Sequence, residues 1–150
     1  MSEEKPISEH LIELKWNKIG EFSHEGFERR HQVGFQPAVI LPVGGAGNDF
    51  GADPEQMLAA SLASCHMMTF LALASKKRLT VTSYQDSAVA ELDKREDGKM
   101  YVRRIRLSPT ATFEGEKQPD EATIEKMHHK AHDHCFVANS LSCDVVVTPQ

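Results

Sequence analysis

The amino-acid sequence predicts an α+β fold that forms a single domain over residues 1–150. Three features support this prediction: a strand-like first half, one long apolar helix in the middle, and two β-rich segments joined by a polar loop. A chain of 150 residues has the length of one ordinary domain. Such a domain normally buries enough apolar surface to fold without disulfides or metals.

The composition excludes several classes of protein. With 40% hydrophobic and 26% charged residues, the chain has the composition of a soluble globular protein. A net charge of −5 provides no basic field for a phosphate backbone, so we expect no nucleic-acid partner. The longest apolar run, residues 67–74 interrupted by Thr69, is too short to cross a bilayer, so we expect no membrane span. The polar leader of residues 1–6 carries no secretory signal, which predicts a cytoplasmic location.

Three strands are predicted in the first half of the chain. Residues 10–16, 27–35 and 38–43 show the alternation and flanking turn residues that are typical of strands. The glycine-rich residues 44–49 then hold three glycines in four positions, a spacing too short for a nucleotide-binding loop. We interpret this segment as a flexible loop, with phosphate binding as the alternative.

A long central helix is the clearest predicted element. Asp53 suits the N-cap, Pro54 suits the first helical position, and Gln56 completes a capping box, so a helix can extend to about Lys77. Residues 57–74 have almost no polar face, and a helix that is apolar all round must be covered all round. We therefore expect a sheet on one side of this helix and a second copy of the chain on another.

The second half predicts a hairpin, a helix and a last strand. Residues 80–92 and 99–113 are rich in β-branched residues and are separated by a polar loop, which indicates a β-hairpin. A second helix is predicted to open at residues 119–121 and to end in a cluster of histidines, where their partial charge suits the helix dipole. With a last strand at residues 141–147, the predicted order is β-β-β-α-β-β-α-β.

The three cysteines fall in different predicted elements. Cys65 lies in the middle of the central helix, Cys135 at the end of the second helix and Cys143 in the last strand. An odd, small number of cysteines in a reducing compartment argues against a structural disulfide framework. Any cysteine chemistry would then be transient and catalytic. Free cysteine is usually a small buried hydrophobe, and we interpret Cys143, which alternates with valines in the last predicted strand, in this way.

A reactive cysteine must be a thiolate, so its free pKa of about 8.5 has to be lowered by a cation or by hydrogen-bond donors. Arg29 and Arg30 are the candidate cations, and in a strand only one of them can face the core. A buried arginine also needs a carboxylate, for which Glu55 at the start of the central helix is a plausible source. The sequence leaves the choice between the two arginines open.

A metal site is the rival hypothesis. His128, His132 and Cys135 are spaced at i, i+4 and i+7, on one face of the second helix, and could hold zinc. The alternative is that these histidines, with His129 and His134, are there because of the helix dipole.

Two segments resemble the OsmC/Ohr family of hydroperoxide reductases. They are residues 53–65, DPEQMLAASLASC, and residues 131–135, AHDHC, and the resemblance covers most of the chain. An acid at the helix start, a cysteine ten residues later and a second cysteine 70 residues beyond it all coincide. Two departures from the family are Phe136, where many members have proline, and His66, which adds a titratable group beside Cys65.

The resemblance implies an OsmC-like fold, with an intertwined homodimer whose β-sheets wrap around two central helices. It also implies a peroxidase that acts in oxidative stress defence, without a cofactor. Cys65 would attack an organic hydroperoxide, Cys135 would resolve the resulting sulfenic acid as a disulfide, and a pair of Arg29 and Glu55 would organise the thiolate. The reductant would be a dithiol, either a lipoyl group or a small thiol. A zinc-binding or non-catalytic stress protein with the same fold is the alternative.

Helix geometry adds an expectation about the dimer. On one continuous helix, the ten residues from Glu55 to Cys65 amount to about 15 Å of rise, several times the reach of a hydrogen bond. Glu55 can therefore act at Cys65 only if it comes from the other subunit.

Overall fold

The computed structural model describes residues 4–36 and 38–150, so part of the predicted polar leader, residues 1–3, lies outside the described residues. The chain consists of two compact units, Met1–Pro54 and Glu55–Gln150.

The first unit holds an antiparallel sheet in the order β1-β2-β3. The strands are β1 (Ile12–Lys15), β2 (His31–Phe35) and β3 (Val39–Val43). All three predicted strands exist, but the second begins at His31, four residues later than predicted. The glycine-rich segment is a loop closed by hydrogen bonds, since the Asn48 side chain donates to Gly45 O and accepts from the backbone N–H of Gly51. A backbone bond from Gly44 N to Ala52 O also closes it.

Helix α1 (Pro54–Lys76) is the long helix of the second unit and begins at the predicted proline. Its buried residues recur every three or four positions and form one stripe: Ala59, Leu62, His66, Phe70 and Ala74. Other positions are open in the single chain, and Met68 is 59% exposed. The sheets therefore cover one side of α1, whereas its composition is apolar on every side.

The apolar composition of α1 bears on the expectation that the chain has no membrane span. By length and composition this 23-residue helix could span a membrane, although its longest uninterrupted apolar run is short. The core helix of a soluble protein meets the same criterion. The apolar residues of the buried stripe belong to two hydrophobic clusters, which is the packing of a core helix.

Each predicted arm of the hairpin consists of two strands. They are β4 (Thr80–Gln85), β5 (Val89–Lys94), β6 (Met100–Leu107) and β7 (Thr110–Glu114). Strands β5 and β6 form the predicted hairpin, whereas β4 pairs with β7 in a separate sheet. The break after β6 falls at Pro109, which has no N–H to donate, and the preceding Ser108 N–H bonds to Asp86 Oδ1 at 2.7 Å.

The last third of the chain contains two helices and a parallel strand. Helix α2 (Glu121–His134) is capped by Asp120, whose side chain accepts from Thr123 N. A short helix α3 (Phe136–Asn139), which the sequence did not predict, follows directly, and Cys135 links the two helices. Strand β8 (Asp144–Val147) is shorter than predicted and pairs with β6 in parallel.

Two hydrophobic clusters hold the second unit together. One joins the first half of α1 to β6 and contains Ala59, Leu62, Ile105, Leu107 and Cys135. The other joins the second half of α1 to α2 and contains Phe70, Ala74, Leu79, Met127 and Ala131. Because Cys135 belongs to the first cluster, it packs next to the middle of α1, where Cys65 lies.

Candidate functional site

The structure brings Cys65 and Cys135 together. Cys65 is half-buried in the middle of α1, and Cys135 is fully buried between α2 and α3. Both carry free thiols, and the Cys135 thiol forms a hydrogen bond with the Cys65 sulfur. A pair 70 positions apart in sequence is therefore in direct contact, which is the arrangement that disulfide formation requires.

The pKa values of the two thiols are shifted in opposite directions. Burial by itself raises the pKa of Cys65, but hydrogen bonds from the Cys135 thiol and from the backbone N–H groups of Val137 and Phe136 outweigh it. The pKa of Cys65 therefore lies below its ordinary value. Burial, followed by the hydrogen bond to Cys65, raises the pKa of Cys135 above its ordinary value. The Cys65 thiol is therefore the more acidic of the two.

The start of α3 supplies the donors that Cys65 uses. Cys135 ends α2 and caps α3 in an extended conformation, with φ −72° and ψ 117°. The next backbone N–H groups, of Phe136 and Val137, bond to the Cys65 sulfur, and that of Ala138 donates to Cys135 Sγ at 3.5 Å. Sequence reasoning missed these donors because a four-residue helix shows no periodic pattern.

Cys143 also packs in this region. It is half-buried, carries a free thiol and contacts the same hydrophobic cluster as Cys135. The sequence placed Cys143 within the last strand, but it lies directly before β8. Its contacts are those of the small hydrophobe that the sequence indicated.

The two candidate arginines lie in the first unit, before strand β2. The expectation that they alternate across a strand is wrong, because β2 begins only at His31 and both side chains are exposed. Arg30 forms an ion pair with Glu28 at 2.8 Å, and this partner lowers the pKa of Glu28 to about 2. Arg29 lies over the Phe27 ring at 4.2 Å from its centroid and donates to Phe27 O.

Glu55 lies in the first turn of α1, as predicted. Its Oε2 atom is buried, and none of the described residues gives it a hydrogen bond. Glu55 and Cys65 belong to one continuous helix and are ten residues apart. Within one chain their side chains are therefore separated by about 15 Å of helical rise.

A comparison of the sequence with known families shows the family to which the chain belongs. The family model described as OsmC-like protein matches residues 45–150, well over half of the chain. The chain belongs to the OsmC-like family. The resemblance carried by residues 53–65 and 131–135 is therefore confirmed.

Solved structures of OsmC-like proteins share this fold. An OsmC-like protein of unknown function from Vibrio cholerae is 34% identical, with a TM-score of 0.89 over 96% of this chain and 100% of that chain. The organic hydroperoxide resistance protein OhrB of Bacillus subtilis is 16% identical, with a TM-score of 0.73 over 97% and 100%. An OsmC-like protein from Mycoplasma pneumoniae is also 16% identical, with a TM-score of 0.73 over 96% and 99%. At 16% identity the likeness shows the fold alone. No curated protein matches this chain.

The zinc triad predicted from the sequence is not formed in this OsmC-like protein. Across residues 4–36 and 38–150, no three histidine, cysteine, aspartate or glutamate side chains form a cluster that could hold a metal ion. Cys135 bonds to Cys65, and His128 bonds to His66 at 3.0 Å between ring nitrogens. The three residues are spaced for one helical face, but His128 and Cys135 bond to partners on α1.

His66 and His128 form a buried pair in the core between α1 and α2. Both are buried, and the His128 ring stacks on Phe70 with 4.2 Å between centroids. Burial, together with the neighbouring His128 and His132, lowers the pKa of His66 to about 4. Burial lowers the pKa of His128 to about 4 as well. Both rings are therefore neutral at physiological pH, and His66 packs in the core although its neighbour in sequence is Cys65.

Proposed function

We propose that this OsmC-like protein is a thiol-dependent peroxidase that reduces organic hydroperoxides, with Cys65 as the attacking thiolate and Cys135 as the resolving thiol. The observation that carries the proposal is the contact between the two cysteines, together with the opposite directions in which their pKa values are shifted. The more acidic sulfur is half-buried, so a substrate can reach it. The less acidic sulfur packs next to it and can condense with it once it is oxidised.

The proposed reaction has three steps. The Cys65 thiolate attacks the terminal oxygen of the hydroperoxide, the O–O bond breaks, and the alkoxide takes up a proton and leaves as an alcohol, so that Cys65 becomes a sulfenic acid. The Cys135 sulfur then attacks the Cys65 sulfur, and water leaves as the disulfide forms. An external dithiol, either a lipoyl group or a small thiol, reduces this disulfide and is itself oxidised to a disulfide.

The proposed site is completed by a second subunit. The apolar positions of α1 that the sheets leave open, such as the exposed Met68, support a homodimer in which two central helices meet. The Glu55 Oε2 atom is buried and has no hydrogen-bond partner among the described residues of one chain. This supports a cation contributed by the second subunit. In this proposal Arg29 stabilises the charge on the leaving alkoxide and Glu55 holds the arginine in place. Arg30 is the alternative to Arg29.

The location and the domain organisation follow the same proposal. A peroxidase that cycles between thiols and a disulfide needs a reducing compartment, which supports the cytoplasm. A single domain over residues 1–150 is consistent with a likeness that extends over 96% of the chain.

Peroxide consumption by the purified protein tests the proposed activity. Wild-type protein should consume cumene hydroperoxide in the presence of dithiothreitol, and Cys65→Ser should abolish this consumption. Cys143→Ser should stay near wild type, because Cys143 packs in the core and has no role in the reaction. Consumption that persists in Cys65→Ser, or that is absent from wild-type protein, would contradict the proposal and support a non-catalytic role.

A further inference from the structure

Thr69 lies one helical turn after Cys65 on α1, on the same face of the helix. Side chains on a helix lean toward its N-terminus and cover the preceding turn, so the Thr69 hydroxyl is directed toward Cys65. Thr69 Oγ1 donates to the backbone carbonyl of Cys65 at 2.8 Å. Hydrogen bonding by the same side chain also contributes to the lowered pKa of Cys65.

We propose that Thr69 is a positioning residue of the thiol site, whose hydroxyl donates to the Cys65 thiolate and holds the sulfur against the start of α3. This inference rests on the proposed function and deepens it, because it adds a side-chain donor to the attacking sulfur.

The chemistry of a hydroxyl explains how one group can serve two acceptors. A hydroxyl has one proton, which rotates about the C–O bond to the better acceptor. While Cys65 is a thiol, the backbone carbonyl of the same residue is that acceptor. Once Cys65 ionises, a charged sulfur accepts a stronger hydrogen bond than a neutral group does. The Thr69 contact is therefore stronger in the thiolate state, which is the state that reacts.

The ordinary role of a threonine in a helix gives a different expectation. Threonine often donates to the carbonyl four residues earlier, and this bond has no catalytic consequence. If Thr69 had only that role, removing its hydroxyl would change stability and would leave the ionisation of Cys65 unchanged. The ionisation of Cys65 therefore distinguishes the two roles.

The test is the pH dependence of Cys65 alkylation by iodoacetamide, followed on the Cys65 peptide by mass spectrometry. Thr69→Val removes the hydroxyl at nearly constant shape, and Thr69→Ser keeps it. Below the pKa of Cys65, alkylation of Thr69→Val should be about three- to tenfold slower than that of wild type, because less of the sulfur is ionised. Thr69→Ser should follow wild type. Ser75→Ala is the control, since the Ser75 hydroxyl also donates to a carbonyl of the preceding turn, that of Ala72, further along the helix.

Two results would overturn the inference. One is a Thr69→Val profile that superimposes on wild type, and the other is a Thr69→Ser profile displaced as far as that of Thr69→Val. Circular dichroism checks that each variant is folded, and Thr69→Ala provides a second variant without the hydroxyl. Peroxide consumption is measured separately. If the Thr69→Val profile is displaced but wild-type protein consumes no peroxide, the proposed function is wrong and the role of Thr69 stands. If wild-type protein consumes peroxide but the Thr69→Val profile is not displaced, the role of Thr69 is wrong and the proposed function stands.

Discussion

At the scale of single residues, the structure separates the cysteines from the histidine beside them. Cys65 and His66 are neighbours in sequence, but Cys65 bonds to Cys135 and His66 bonds to His128. Successive residues on a helix point in directions about 100° apart, so neighbours can belong to different environments. The histidine pair therefore contributes to the stability of the core, whereas the cysteine pair carries the proposed chemistry.

The histidine pair predicts a loss of stability in mild acid. In the folded protein the pKa of His66 and of His128 is about 4, below the value of about 6.5 expected in the unfolded chain. The unfolded state therefore binds more protons as the pH falls, so the stabilisation is fully present above about pH 6.5 and is lost toward about pH 4. We expect the free energy of unfolding in urea to fall by a few kcal/mol, as an order of magnitude, between pH 7.5 and 4.5.

The exposed His129 provides the control for this prediction. Its side chain is 80% exposed, so His129→Ala should keep the same pH dependence as wild type. A free energy of unfolding that stays constant between pH 7.5 and 5 would contradict the role given to the buried pair.

At the scale of elements, the sequence predicted those that are long or strongly patterned. Helix α1 was recognisable because apolar residues fill most of a 23-residue segment that begins with a proline. Helix α3 was missed because four residues show no periodic pattern. The split of the second hairpin arm was missed because β-branched residues continue on both sides of Pro109. The arginines were placed in a strand that begins later. The resemblance supplied the cysteine pair, because no local pattern shows which distant residues pack together.

Helix α3 predicts a contrast between two substitutions at Phe136. Proline suits the first position of a helix, and the extended conformation of Cys135 is the one favoured before proline. Phe136→Pro should therefore fold but lose the N–H that bonds to Cys65, which raises the pKa of that thiol and slows its alkylation several-fold at pH 6. Phe136→Ala keeps the N–H, and the Phe136 side chain is 83% exposed, so this control should resemble wild type. Equal rates in the two variants would show that the backbone donor has no effect.

At the scale of the whole molecule, the proposed function requires two subunits. Glu55 and Cys65 lie too far apart on one helix to meet, and the apolar circumference of α1 calls for a partner. A site shared between subunits follows from these two facts together with the proposed role of Glu55. The same dimer would bury the side of α1 that the sheets leave open.

Mixed dimers test whether the site is shared. Subunits that carry Glu55→Ala and Cys65→Ser are unfolded reversibly, mixed and refolded, and peroxide consumption is measured. On statistical mixing about half of the dimers are mixed and each holds one intact site, so about a quarter of wild-type activity should return. If mixed dimers form and the mixture is as inactive as both parents, the shared site does not exist.

In the proposed mechanism, Cys65 attacks the peroxide and Cys135 resolves the product. The most direct test is mass spectrometry of the protein after one equivalent of cumene hydroperoxide, without reductant. We expect a Cys65–Cys135 disulfide in wild type, and in Cys135→Ser a Cys65 sulfenic acid that further peroxide oxidises to the sulfinic acid. A disulfide between Cys65 and Cys143, or a Cys65 that remains reduced, would contradict the account.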